Sequence, residues 1–334
     1  MTAHAPRNGA RRQDATAPPE RQRLVAIVGP TAVGKTDVSL VLARRFGGEI
    51  LSGDSMQVYR GMDIGTAKVD PAIRAEIPHH LIDILDPDEP FSVAQFQALA
   101  VPLIADINRR GRLPILVGGT GLYVRAVVQG YRFSNAPADP ALREKWRRFA
   151  ETHGNEALHA KLREIDPETA ARLHPNDVRR IIRALEIYEQ TGRTMAEFQR
   201  DKERPSPYDL LLIGLTMDRR VLYARINERV DRMIAAGLVD EVRRLVARGF
   251  DERATAMQGL GYKELLPYLR GEISLDEAVE AIKRRTRQFA KRQLTWFRHM
   301  PGIVWSDMTD PAARAEQIEQ ICRLVAGKFF ARAE

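Results

Sequence analysis

The 334 residues contain one cysteine, Cys322, so no intrachain disulfide can form and no cysteine-based metal cluster can be built. That suits a reducing cytoplasm. No apolar run is long enough to span a bilayer, so no membrane partner is expected. The segment Met1 to Gln22 lacks serine and any apolar stretch that could serve as a signal-peptide core. It places Arg7, Arg11, Arg12 and Arg21 among Ala, Pro and polar residues, and residues 1–22 read as a disordered leader. Acidic residues are in deficit: Lys and Arg number 52 against 44 Asp and Glu, a formal charge of +8 with a pI near 9.7. That balance favours a polyanionic partner.

The chain is organised around Leu24 to Phe46, LVAIVGPTAVGKTDVSLVLARRF. An apolar run breaks into a glycine-punctuated turn and resumes with helical periodicity, the pattern of strand, phosphate loop and helix. Gly29 and Gly34 frame G-x-x-x-x-G-K-T, whose backbone N–H groups converge on phosphate oxygens at a helix N-terminus. Lys35 adds a point charge and Thr36 a magnesium ligand. A turn needing only tight geometry explains the glycines but not the Lys-Thr pair. The loop recognises oxygens and charge, so ATP is the default ligand and not the conclusion.

A second strand, Glu49 to Ser52, delivers Asp54, Ser55 and Gln57 at the carboxyl end of the sheet, where α/β proteins bind ligands. Asp54 is placed as general base or as partner to a metal-bound water; an Asp turning a tight loop is the alternative. His79 and His80 lie on a short strand, where neighbours point to opposite faces, so they read as hydrogen-bonding and not metal-binding residues. Ser92 and Gln95 form a capping box for a helix running to Arg110, with Pro102 kinking it. Gly118-Gly119-Thr120-Gly121 makes a second strand-to-helix turn, with Thr120 a candidate substrate contact and small-residue packing the competing account.

Residues 134–207 are helical, charged and bounded by prolines, as expected of an inserted lobe. The apolar run Leu210 to Met217 then returns as a central strand, so residues 23–133 and 208–334 read as one discontinuous core. Asp218 caps a long helix ended by Gly237, on which Arg225 and Arg229 share a face; either one reaches the phosphates or both are surface charges. Between Lys283 and His299 stand seven Lys or Arg and no acid, interleaved with Phe289, Trp296 and Phe297. This suits a phosphate backbone, with Phe289 and Trp296 assigned mainly to the core.

Together GPTAVGKT, GDSMQVYRGMDIGTAK, IPHHLID, GGTGLY, YARINERVDRMIAAGL, GLGYKEL and TRQFAKRQLTWFR resemble the bacterial tRNA dimethylallyltransferase family, in order from Leu24 to Arg298. The resemblance implies a P-loop NTPase-like parallel α/β sheet with an inserted all-helical lobe and C-terminal helices. It implies transfer of the dimethylallyl group from dimethylallyl diphosphate to N6 of adenosine 37 in tRNAs reading codons that begin with U. Mg2+ would be held near Thr36, and a monomer is the default state.

Gly29, Pro30, Thr31, Ala32, Val33, Gly34, Lys35 and Thr36 would then hold the diphosphate, with Arg225 a further cation and Asp54 the base. The same resemblance places Asp54, Ser55, Met56 and Gln57 on the tRNA anticodon stem-loop, with Thr120 and Arg143 near the target nucleotide. From the lobe it adds Arg179, Arg180, Ile181, Ile182 and Arg183, with Arg179 standing where glutamine is common. Gly259, Leu260, Gly261, Tyr262, Lys263 and Glu264 follow. The basic helix contributes Lys291, Arg292, Gln293, Leu294, Thr295, Trp296, Phe297 and Arg298. A P-loop small-molecule kinase using ATP is the main alternative, and it leaves the basic helix unexplained. A nucleic-acid-binding NTPase would need a metal-binding acid on a strand, for which Asp83 is the one candidate.

Overall fold

The computed structural model describes residues 21–131, 133, 138–200 and 205–331. The leader therefore lies outside the described residues except at 21 and 22, as does the lobe entry at 134–137. Six strands form one sheet: β1 (Arg23–Val28), β2 (Gly48–Ser52), β3 (His79–His80), β4 (Leu113–Gly118), β5 (Asp209–Thr216) and β6 (Ile303–Asp307). All pair in parallel, in the order β3-β2-β4-β1-β5-β6. β1 is central because it is apolar on both faces. Val25 and Ile27 join Ile115 and Ile213 on one side. Leu24, Ala26 and Val28 join Leu116 and Leu212 on the other, the period-2 alternation of a strand buried twice.

The helices before the lobe are α1 (Lys35–Phe46), α2 (Pro71–Glu76), α3 (Val93–Arg109) and α4 (Gly121–Val128). The Ser92–Gln95 capping box forms, and α3 runs on past Pro102 as one helix. The lobe carries α5 (Pro140–His153), α6 (Asn155–Ile165), α7 (Pro167–Ala170), α8 (Val178–Thr191) and α9 (Met195–Arg200). It has its own apolar centre, built around Trp146, Leu158, Leu162, Ile181 and Leu185. After it come α10 (Arg219–Ala235), α11 (Leu238–Ala247), α12 (Tyr262–Leu269), α13 (Leu275–Arg298) and α14 (Arg314–Phe329). The Asp218 carboxylate caps α10 by accepting from the Arg220 and Val221 amides.

Helices α1 and α14 bury Leu42, Ile321 and Val325 against one sheet face. Helices α3 and α4 bury Phe96, Ile104 and Val127 against the other. A third apolar cluster joins α10, α11, α12 and α13 to Val58, Tyr59 and Met62, and so seats the loop after β2 on the C-terminal helices. The sheet's carboxyl edge is thereby walled by α10 and α13.

Candidate active site

The loop after β1 has a backbone that few side chains tolerate. Gly29 has φ 144°, Ala32 φ 65° and Gly34 φ 104°. A Cβ on Gly29 would stand 2.5 Å from the Leu215 carbonyl oxygen, so only glycine lets the loop lie against β5. Ala32 holds the left-handed region without that freedom, local strain of the sort that collects at functional loops. The Lys35 ammonium donates to the carbonyl oxygens of Gly29 at 2.9 Å and Pro30 at 2.7 Å. Burial is the main cause that lowers its pKa to about 7, assisted by Arg229 and opposed by Asp54.

A cavity of about 320 Å³ opens over this loop. Arg225, Arg229 and Arg232 all line it, spaced i, i+4 and i+7 along one stripe of α10. The axis of α10 thus brings all three arginines to the cavity over the loop. Neither Arg225 nor Arg229 makes an ion pair with a described residue, while Arg232 approaches the exposed Glu228 at 3.8 Å. Burial also lowers the pKa of Arg229, against the pull of Asp54. Concentrated cations with so little counter-charge prepare a site for a polyanion of diphosphate size. The sequence weighed Arg225 and Arg229 together and missed Arg232, although its spacing along the same stripe was the available signal. His79 also lines this cavity, with its Nδ1 at 2.7 Å from the Ile77 carbonyl oxygen. His80 instead meets Glu49 at 2.8 Å.

Asp54 stands at a junction. It lines the cavity over the loop and a second one of about 310 Å³, whose walls include Met56, Met233, Leu238, Ile282 and Phe289. Its Oδ1 accepts from the Met56 amide at 2.8 Å, which leaves the other carboxylate oxygen for a ligand. The flanking loop is tied down from several sides. Gln57 accepts from the Ser52 hydroxyl at 2.7 Å and donates to the Thr66 carbonyl. The Thr120 hydroxyl accepts from the Ser55 amide at 3.3 Å. The buried Glu241 carboxylate takes the amides of Asp63, Ile64 and Gly65 and the Tyr262 hydroxyl, four donors that offset the burial of its charge. Asp83 has no strand position facing the loop; it is engaged by Lys68 and Arg74.

Several residues expected on RNA are packed into the protein. Ile181 and Ile182 are buried in the lobe core and Phe297 in the sheet core. Tyr262 is buried, donates to Glu241 and lines the second cavity with its neighbours, and Glu264 caps its own helix by accepting from the Gly261 amide at 2.9 Å. Gln293 is buried too and lines the first cavity. Arg143 and Arg183 close on the buried carboxylate of Glu186. By contrast Arg179, Arg180, Lys291, Arg292, Thr295 and Arg298 are exposed, whereas Leu260, Gly261 and Lys263 line the second cavity. The core assignment of two aromatics is corrected as well: Trp296 is 39% exposed, and Phe289 lines both cavities. Helical periodicity aims residue 297 inward and leaves its neighbour 296 over the Gly121 backbone.

Thr36 and Asp37 bring a hydroxyl and a carboxylate to the cavity over the loop, and Asp37 also pairs with Arg314 of α14. The described residues contain no group of three His, Cys, Asp or Glu able to cage a metal. A hydroxyl beside a carboxylate fits a hard, largely hydrated cation such as Mg2+.

Known proteins similar to this chain fall in one family. A family model described as "IPP transferase" matches residues 57–300, and one described as "Isopentenyl transferase" matches residues 22–74. The chain is 57% identical over 308 residues to a Geobacillus thermodenitrificans protein named tRNA dimethylallyltransferase, covering 92% of this chain and 98% of the relative. It resembles the crystal structure of the tRNA isopentenylpyrophosphate transferase of Bacillus halodurans, with 52% identity, a TM-score of 0.69, and 92% and 97% of the two chains covered. It also resembles a eukaryotic dimethylallyltransferase solved acting on tRNA, with 32% identity, a TM-score of 0.79, and coverage of 93% and 80%.

Proposed function

Because the chain belongs to the IPP transferase family, we propose that it moves the dimethylallyl group of dimethylallyl diphosphate onto N6 of adenosine 37 in tRNAs reading codons that begin with U. The enzyme is a prenyltransferase that modifies tRNA. The observation that carries the reading is the position of Asp54 where a cationic phosphate cavity opens into a more apolar one. The donor's diphosphate belongs in the first cavity; its C5 chain and the adenine meet in the second.

Cleavage of the donor C1–O bond sends its electron pair to diphosphate, and the N6 lone pair forms the new C1–N bond. Lys35, Arg225, Arg229 and the loop amides offset the charge that grows on the leaving group, the interaction most strengthened in the transition state. Mg2+, when bound beside Thr36, supplies further neutralisation of that charge. Asp54 orients the amine and accepts its proton. The N6 proton becomes acidic only as the bond forms, so an ionised carboxylate of ordinary basicity serves.

Adenosine must leave its stack to reach Asp54, at a cost of about a few kcal/mol. Exposed cations on α8 and α13 offset that cost through phosphate contacts. Both cavities are built from one chain, so a monomer suffices. None of the described helices is long and apolar enough to cross a membrane, in keeping with work in the cytoplasm.

The test is transfer of labelled dimethylallyl from its diphosphate to unmodified anticodon stem-loop RNA in magnesium, with and without ATP. Label on adenosine 37 without ATP is the expected result. ATP consumption with small-molecule acceptors and no label on RNA overturns it in favour of a kinase.

A further inference from the structure

On α13 the outer and inner faces carry different chemistry. Lys291, Arg292, Thr295 and Trp296 are exposed, whereas Ala290, Gln293 and Phe297 are buried, the i, i+3, i+7 spacing of an inward stripe. Gln293 is the polar member of that stripe and is only 6% exposed. Its Oε1 accepts from the Thr31 amide of the phosphate loop at 2.9 Å. Its Nε2 donates to the Gly119 carbonyl oxygen at 2.9 Å. The two partners settle the amide's orientation, since an N–H faces one end and a C=O the other.

The fit is close. A Cβ added at Gly119 would stand 2.1 Å from Nε2, so the turn after β4 is glycine where it receives this side chain. Thr31 meanwhile lines both cavities, as does Gly119 the first. One side chain on the RNA-facing helix thus joins the two loops that floor the site.

We propose that Gln293 is a positioning residue that locks the phosphate loop to α13 and sets the diphosphate site, and that it makes no contact with RNA. Both of its hydrogen-bonding ends are spent inside the protein, and its neighbours on the outer face are the cations suited to phosphate. The inference rests on the donor reading above. Glutamine is the side chain required here. Glutamate keeps the acceptor for Thr31 but sets a negative charge against the Gly119 carbonyl and toward the diphosphate; methionine keeps the length and loses both bonds.

Gln293→Met is compared with wild type in three readouts: calorimetric binding of inorganic pyrophosphate, steady-state kinetics with labelled donor, and RNA affinity against salt. The expected result is pyrophosphate binding weakened about tenfold and donor KM raised by a similar factor, the scale of one buried hydrogen bond with its unsatisfied partner. RNA affinity and its salt slope stay unchanged. Gly119→Ala, whose added methyl displaces the Gln293 amide while the sequence of α13 stays as it is, should reproduce the donor defect, and it decides the matter if Gln293→Met does not fold. Unaltered pyrophosphate binding in the folded variant overturns the clamp alone. Loss of RNA affinity with donor binding intact overturns it in favour of a direct RNA contact. Failure of the wild-type protein to bind pyrophosphate removes the donor site, and the clamp with it.

Discussion

The arginines of α10 and those of the lobe are the same side chain used in opposite ways. Arg225 and Arg229 face a cavity with no ion-pair partner among the described residues. In the lobe, Arg143 and Arg183 close at 2.8 Å and 2.6 Å on a Glu186 side chain that is wholly buried, and its carboxylate also accepts from the Asp139 amide. Burial works to raise the Glu186 pKa, but the hydrogen bonds from Arg143, Arg183 and the Asp139 amide, with the Arg183 charge, together outweigh it and hold the carboxyl below its ordinary range. A cation that holds structure is paired inside the protein. A cation that awaits a ligand is left in excess, at some cost to the unliganded fold.

The largest effect should come from the paired side. Glu186→Ala leaves the Arg143 and Arg183 cations without their buried partner and should destabilise the protein by roughly 3 kcal/mol, read from denaturant unfolding. Loss below about 1 kcal/mol would mean the pair is worth no more than a surface bridge. The sign with pH follows from the depressed carboxyl. Its contribution is fully present above the unfolded value of about 4.3 and disappears as pH falls through the folded value.

On the unpaired side, Asp54→Asn should lower kcat by about a hundredfold or more while leaving RNA affinity intact; unchanged turnover would remove Asp54 from proton transfer. Arg229→Met then sharpens the contrast most directly. Donor KM should rise about tenfold or more for loss of a charge-assisted contact to phosphate, yet the unliganded protein should melt at an equal or higher temperature. A drop in melting temperature would show that Arg229 has a structural partner after all. The smallest effect belongs to the exposed face of α13. Lys291→Ala with Arg292→Ala should flatten the salt dependence of RNA binding by about one unit of slope per lost phosphate contact. An unchanged slope would leave that face outside the RNA interface.

Local chemistry made much of this architecture legible. The phosphate loop, the Ser92–Gln95 box and the Asp218 cap are each specified by residues within a few positions of one another, so composition and spacing suffice to find them. The return to the sheet at β5 was legible for a similar reason, as an apolar run with β-branched and leucine residues fits a strand buried on both faces. Trp296 and Phe297 show the limit. Both are large and aromatic, and which one is buried depends on the rotation of α13 against the sheet, a quantity no single residue type encodes.

The sequence by itself determined the glycine-framed loop after β1, the family, and the caps and strand-to-helix turns around that loop, because these rest on short-range geometry and on motifs read in sequence. Tertiary structure alone decided that Arg229 and Arg232 join Arg225 over the loop, that Tyr262 donates to Glu241, and that Gln293 reaches Thr31 from 262 positions away. Hydrogen bonding and desolvation act through space. A residue's environment is settled only when distant segments are packed together.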